Sequence, residues 1–293
     1  MKSVGRNFSD VQSIKPRRVP LMMRTLPLLC LLWFSAPVVA FDDPHRPDDS
    51  AAQESREEKS GPWKLTAGHY VLRGATDGTD LNLRWRQGDL TGWVGAWVAP
   101  GAGGESLQGT VRQGRVGFER AFRPFESSDV LGGWGVSLQP SLQLASAGFV
   151  GGSLTLEAGE PWFGSVGLGR TNGKPYVNLN FDPNDAISVA SGYRDPDGTT
   201  YYILLVADDR LGTGQRHLHL VGRWPIQGGG RLTLDLLAKR GTGEDFQGAP
   251  QFIRSGGISL GYDAPRWFAR LARDQRQNFG PSDGWRFSIG SRF

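Results

Sequence analysis

The sequence predicts an all-β chain closed into an antiparallel barrel whose apolar side chains point outward, and three observations support this. From Gly61 onward, apolar and polar residues alternate with period two in run after run, and no window sustains a period of 3.6. Clusters of Gly, Pro, Asn and Asp separate these runs about every dozen residues. Glycine makes up 42 of 293 residues, about twice the usual ~7 %, which suits many tight turns and a curved, closely packed sheet.

The N-terminal segment reads as a leader. Arg24 precedes an apolar run from Leu26 to Phe34, and Val38-Val39-Ala40 offers small residues for cleavage before Phe41, the pattern of a secretory signal peptide over residues 1–40. The apolar run is too short to span a bilayer. Residues 1–21 are polar and long for such a leader, so translation is expected to start at Met22 or Met23. Cys30, the sole cysteine, falls inside this segment, so the mature chain would carry no thiol, disulfide or Cys metal ligand. Six of the 33 Lys/Arg and one of the 29 Asp/Glu also lie there. The remainder is nearly neutral, and the basic pI argues for no nucleic-acid partner. Residues 41–60 are acidic, Pro-containing and poor in apolar residues, the composition of a disordered tail.

The body, 61–293, alternates strands and turns. Leu81, Leu83 and Trp85 oppose Asp80, Asn82, Arg84 and Arg86. Trp134, Val136, Leu138, Leu142 and Leu144 oppose Ser137, Gln139, Ser141 and Gln143. Val177, Leu179 and Phe181 oppose Asn178, Asn180 and Asp182, and Leu232, Leu234 and Leu236 oppose Arg231, Thr233 and Asp235. Turn chemistry stands between them at Thr171-Asn172-Gly173-Lys174, Asp195-Pro196-Asp197-Gly198 and Gln227-Gly228-Gly229-Gly230. Trp63, Trp134, Trp162, Trp267 and Trp285 open strands and Trp224 closes one, where an interfacial girdle belongs.

The final strand, 284–293, is the most specific element. Trp285, Phe287, Ile289 and Phe293 share one face, Arg286, Ser288, Gly290 and Arg292 the other, and the chain stops on Phe. This resembles the closing strand of bacterial outer-membrane β-barrels. The resemblance covers roughly residues 61–293 and implies export through a cleaved signal, insertion into outer-membrane lipid, and recognition of Trp285, Phe287, Ile289 and Phe293 by the barrel assembly machinery. A soluble β-sandwich with the same alternation would leave the terminal Phe unexplained.

Connections alternate long and short backward from the C-terminus: 274–284, 240–251 and 208–215 long, 262–266, 226–230 and 195–198 short, with 123–132 as a further long loop. Long connections are expected outside the cell and short ones in the periplasm. Hairpins at Gln87-Gly88-Asp89 and Gln113-Gly114 bring the expected count to sixteen strands, with fourteen or twelve as alternatives.

With the apolar face toward lipid, the interior is expected to present Arg84, Arg86, Arg115, Arg223, Arg231, Lys239, Arg266, Arg270, Arg286 and Arg292 against Asp80, Glu119, Glu157, Asp182 and Asp235, with Asn178, Asn180, His217 and His219 also lining it. Such a basic excess would favour anions in a water-filled lumen, which suggests a passive channel for small, anionic solutes. The same charges could instead pair across the lumen and plug it. A lipid-modifying or hydrolytic enzyme is the rival class. Yet His217 and His219 lack an evident carboxylate or Cys partner for a metal, Asp208-Asp209 sits in a loop, and Ser255 and Ser259 have no identifiable base. A third reading is an interaction barrel using loop aromatics such as Phe246 and Phe279, which could equally fold inward as a constriction. No cofactor motif appears.

Overall fold

The structure, a computed structural model, describes residues 61–99, 111–125, 135–174 and 185–293. The expected leader, the acidic segment 41–60, Trp134, and the alternating segment with Asn178, Asn180 and Asp182 lie outside the described residues.

The strands, in chain order, are β1 (Trp63–Leu72), β2 (Gly78–Gln87), β3 (Leu90–Ala99), β4 (Val111–Arg120), β5 (Phe122–Phe125), β6 (Val136–Ala145), β7 (Phe149–Ala158), β8 (Trp162–Thr171), β9 (Ala186–Arg194), β10 (Thr200–Asp208), β11 (Arg216–Ile226), β12 (Gly230–Glu244), β13 (Pro250–Asp263), β14 (Trp267–Asp274) and β15 (Gly284–Arg292). Neighbours in sequence pair antiparallel, except β4 and β5, which both pair with β6. β1 pairs with β15, and β4 with β6, so the single sheet closes on itself. Trp63 and Phe293 exchange two backbone hydrogen bonds of 3.0 Å at the seam. Closure leaves no sheet edge, which is the condition for a β-structure to enter a bilayer.

Among the described residues the count is fourteen strands plus the short β5, not sixteen. Gln113-Gly114 is not a turn. β4 runs straight through it, with Gln113 opposite Trp97 and Gly114 opposite Ala96 on β3, because Gln-Gly lacks the Asn or Asp that favours the left-handed first position of a tight hairpin. β5 continues β4 past Ala121, whose N–H leaves the ladder and donates to Asp89 O at 2.9 Å. Both segments pair with β6. β8 and β9 pair directly with each other.

One end of the barrel carries both described termini and the connections 88–89, 159–161, 195–199, 227–229 and 264–266. The distal end carries 73–77, 146–148, 209–215, 245–249 and 275–283. Two sequence expectations change here. The connection after β5, expected as a distal loop over 123–132, leaves from the terminal end. The loop expected over 240–251 is mostly strand, since β12 and β13 pair as far as Glu244 and Pro250.

The outer face is mainly apolar at mid-strand, with residues such as Val94, Val116, Val189, Ile203, Leu220 and Ile258 exposed. Its aromatic residues gather at the terminal end in four neighbouring pairs: Trp63 with Trp85, Trp162 with Tyr193, Tyr201 with Trp224, and Tyr262 with Trp267, with ring centroids 4.9–6.5 Å apart. Trp285 departs from this girdle and opens β15 at the distal end. Ile203, mid-strand on β10 and 52 % exposed, gives a direct test of the lipid-facing assignment. Ile203→Arg is expected to reduce folding stability in phospholipid vesicles by about 2–4 kcal/mol while Ile203→Leu does not. Equal stability of the two variants in urea titrations would contradict it.

Candidate functional site: the interior wall

The inward positions of the strands build a largely charged and polar surface, interrupted by two buried apolar clusters, one of Tyr70 and Trp97 and one around Phe163, Tyr202 and Leu204. Arg84, Arg86, Glu157, His217, His219, Arg223, Arg231, Asp235, Arg270 and Arg286 all stand on it, because each occupies the strand parity opposite to the exposed apolar residues. Arg115, Lys239, Arg292, Asp80 and Glu119 are there too. Arg266 is not: it lies exposed in the 264–266 connection. Arg120 and Arg273 project outward, each over an aromatic ring, Phe122 at 4.9 Å and Trp285 at 5.5 Å.

The ion pairs of this surface run along the wall. Arg115 on β4 meets Asp80 on β2 at 2.6 Å, and Arg84 on β2 meets Glu119 on β4 at 2.8 Å, so two pairs straddle β3 in opposite senses. Arg194 on β9 reaches Glu157 on β7 at 2.6 Å. Lys239 on β12 reaches Asp274 on β14 at 2.6 Å, and Arg292 on β15 reaches Asp263 on β13 at 2.9 Å. Each passes over the strand between, where a small or flat inward residue makes room. A Cβ on Gly95 would lie 2.9 Å from Arg115 Nε. The Phe268 ring lies beneath Arg292 at 5.2 Å, with Arg270 at 4.6 Å and Lys64 Nζ at 4.8 Å. These partners are 29 to 37 residues apart in sequence, which is two strands and the turns that join them.

Positive charge concentrates toward the terminal end. Lys64 is the register partner of Arg84 on β2 and of Arg292 on β15, which sets three cations side by side. Asp263, buried at 3 % side-chain exposure, answers Arg292 at 2.9 Å, Arg270 at 3.5 Å and Arg231 at 4.0 Å. Arg223 continues the arc over the Tyr202 ring at 5.3 Å and donates to its hydroxyl at 3.2 Å.

At the distal end one connection turns inward. Phe279 of 275–283 is buried against the His217 ring, 5.3 Å away edge-on, with Lys239 Nζ 5.5 Å from its centroid. A Cβ on Gly243 would stand 1.9 Å from Phe279 O, so glycine there admits the loop. Phe279 therefore narrows the mouth from the β11–β12 side, while Phe246 remains exposed.

The enzymatic rival gains a partner but no nucleophile. His219 Nδ1 lies 3.0 Å from Asp235, a contact that sequence spacing did not reveal. Its Nε2 has no hydrogen-bond partner and neither has Ser255 Oγ, so no serine is held against the imidazole. Asp208 accepts hydrogen bonds from the Thr213 N–H and hydroxyl, and Asp209 is bidentate with Arg170 at 2.6 and 3.0 Å. Both carboxylates serve loop architecture. Among the described residues no group of three or more His, Cys, Asp or Glu could hold a metal.

A closed antiparallel wall with an apolar outside, an aromatic girdle and a charged interior defines a β-barrel of the bacterial outer-membrane type. No family model and no curated protein matches the chain. Solved structures similar to it include the porin KdgM (9 % identity, TM-score 0.41, covering 78 % of this chain and 99 % of that one). Omp33 of Acinetobacter baumannii is similar at 9 % identity and TM-score 0.45, over 80 % and 99 %. The porin NanC is similar at 10 % identity and TM-score 0.40, over 78 % and 100 %. At these values the likeness is one of architecture alone.

Proposed function

We propose that this protein is a passive channel of the outer membrane that passes small solutes and favours anions. The observation that carries the reading is the lateral direction of the interior ion pairs: charges that neutralise each other along the wall do not tie opposite walls together. A fourteen-stranded wall with strands ~4.8 Å apart and tilted by ~40° has a backbone radius of about 14 Å. Such a radius accommodates water at the axis where the inward side chains stay along the wall as the ion pairs do, with Phe279 standing at one mouth. The excess of Arg and Lys on the interior, concentrated around Lys64, lowers the energy of an anion there and raises that of a cation. In this reading residues 1–40 are removed on export, the termini face the periplasm, and Trp285, Phe287, Ile289 and Phe293 present the closing strand to the assembly machinery.

Planar-bilayer recording of the purified barrel tests the proposal. Steady conductance is expected, with a reversal potential in a KCl gradient displaced toward that of chloride. Lys64→Glu with Arg86→Glu should move it toward potassium. A wild-type barrel that carries no current, or prefers potassium, would sink the reading.

A further inference from the structure

The outer wall holds a second charged feature, independent of the lumen. Arg216 on β11 is the register partner of Arg240 on β12, which is in turn the register partner of Arg254 on β13. All three project outward and are exposed. Register partners on one face hold their Cβ atoms 4.5–5.5 Å apart, so three guanidinium groups share a strip about 10 Å long. Like charges placed directly opposite one another repel, and among the described residues no carboxylate pairs with any of the three. Of the acids toward that end, Asp209 is engaged by Arg170, Asp274 by Lys239 and Asp245 by the backbone of its own turn, and Glu244 stands four residues beyond Arg240 at the end of β12. Among the described residues Arg254 is steadied by the Phe252 ring, 5.5 Å away.

The depth of the strip points to its partner. Below it on the same strands come Leu218, Leu220, Leu236 and Ile258, all exposed, and then the register row of Trp224, Leu232 and Tyr262 in the aromatic girdle. From Arg216 to Trp224 the strand rises about 27 Å at 3.4 Å per residue, or about 21 Å across the bilayer at ~40° tilt. The apolar band of such barrels is about 25 Å tall. The arginines therefore sit at one edge of that band and the aromatic residues at the other, which places the guanidinium groups level with lipid headgroups at the distal end. A lone arginine at that depth would reach into water. Three in register need a shared counter-charge, and the guanidinium fork matches a phosphate with two parallel hydrogen bonds.

We propose that Arg216, Arg240 and Arg254 form a binding strip for the phosphate groups of a membrane lipid. Each arginine near a membrane surface strengthens such an interaction about fivefold, so the three together contribute about a hundredfold. The test uses the whole barrel in phosphatidylcholine nanodiscs, titrated with bisphosphorylated lipid A, with the same lipid stripped of its phosphates, and with phosphatidylglycerol, with retention read by native mass spectrometry. Tight retention of the phosphorylated lipid by wild type, about a hundredfold weaker in R216Q/R240Q/R254Q and unchanged in the control Arg112→Gln, supports the strip. Comparable retention of phosphatidylglycerol would assign the phosphate to a glycerophospholipid, and its failure to bind would assign it to lipid A. Equal retention by the triple variant, or of the dephosphorylated lipid by wild type, overturns the proposal. Because the second comparison needs no variant, it stands even if the triple variant does not fold.

Discussion

Replacing Asp263 with asparagine is expected to lower the stability of the folded barrel by about 3 kcal/mol, the usual effect of removing one partner from a buried ionic cluster. Asp263 is the acid around which Arg231, Arg270 and Arg292 converge at 2.9–4.0 Å, with its carboxylate only 3 % exposed and the arginines themselves 10–16 % exposed. Asparagine keeps the shape and loses the charge, leaving those cations facing one another over the Phe268 ring. Urea titration of vesicle-folded protein would measure the loss. Adding Arg292→Gln to Asp263→Asn should restore part of it, because one of the mutually repelling charges goes. If the double variant is no more stable than the single, the cluster is not coupled as the distances indicate. In the same bilayer assay Asp263→Asn should strengthen the preference for anions.

A second large effect is expected at Gly290. A Cβ there would lie 2.1 Å from Phe268 Cζ and 2.4 Å from the backbone oxygen of Leu65 on β1. The aromatic ring can shift, but the backbone oxygen belongs to the β1–β15 seam that closes the barrel. Gly290→Val should therefore cost at least the upper end of the 1–3 kcal/mol seen for overpacking, and heat-modifiable mobility on gels should appear at a markedly lower temperature. Phe268→Leu in the same background relieves only the ring and should not rescue it fully. Full rescue would locate the strain in the side chain and not in the seam.

Both residues show how far sequence reasoning reached. Gly290 lies in the final strand, whose alternation was plain, whereas Asp263 was expected in the 262–266 turn and instead ends β13, and nothing near it in the chain announces that Arg292, 29 residues away, will lie over it. The interior parity of Arg84, Arg223, Arg231 and Arg286 followed from period-two patterning, because one strand's facing depends only on its own residues. The pairing of Arg115 with Asp80, or of His219 with Asp235, depends on the register between strands, and that register is set by hydrogen bonds along whole ladders. Miscounting at Gln113-Gly114 has the same origin: the glycine was read as a turn signal, but the continuous β3–β4 ladder holds the dipeptide extended. The loop after β5 was placed at the wrong end because the alternating segment around Leu179 was counted as a strand of the wall, whereas β8 pairs directly with β9, and one strand too many reverses the parity of every connection upstream.

Alternation and turn chemistry by themselves determined that this chain forms an antiparallel barrel with its apolar side outward and its charges within, because each is a property of neighbouring residues. The number of strands, the wall-hugging ion pairs, the inward turn of Phe279 and the arginine row on the outer face were decided only by the tertiary structure. They arise where residues far apart in the chain come together, from 14 positions for Arg240 and Arg254 to 62 for His217 and Phe279, and that proximity exists only once the strands have paired.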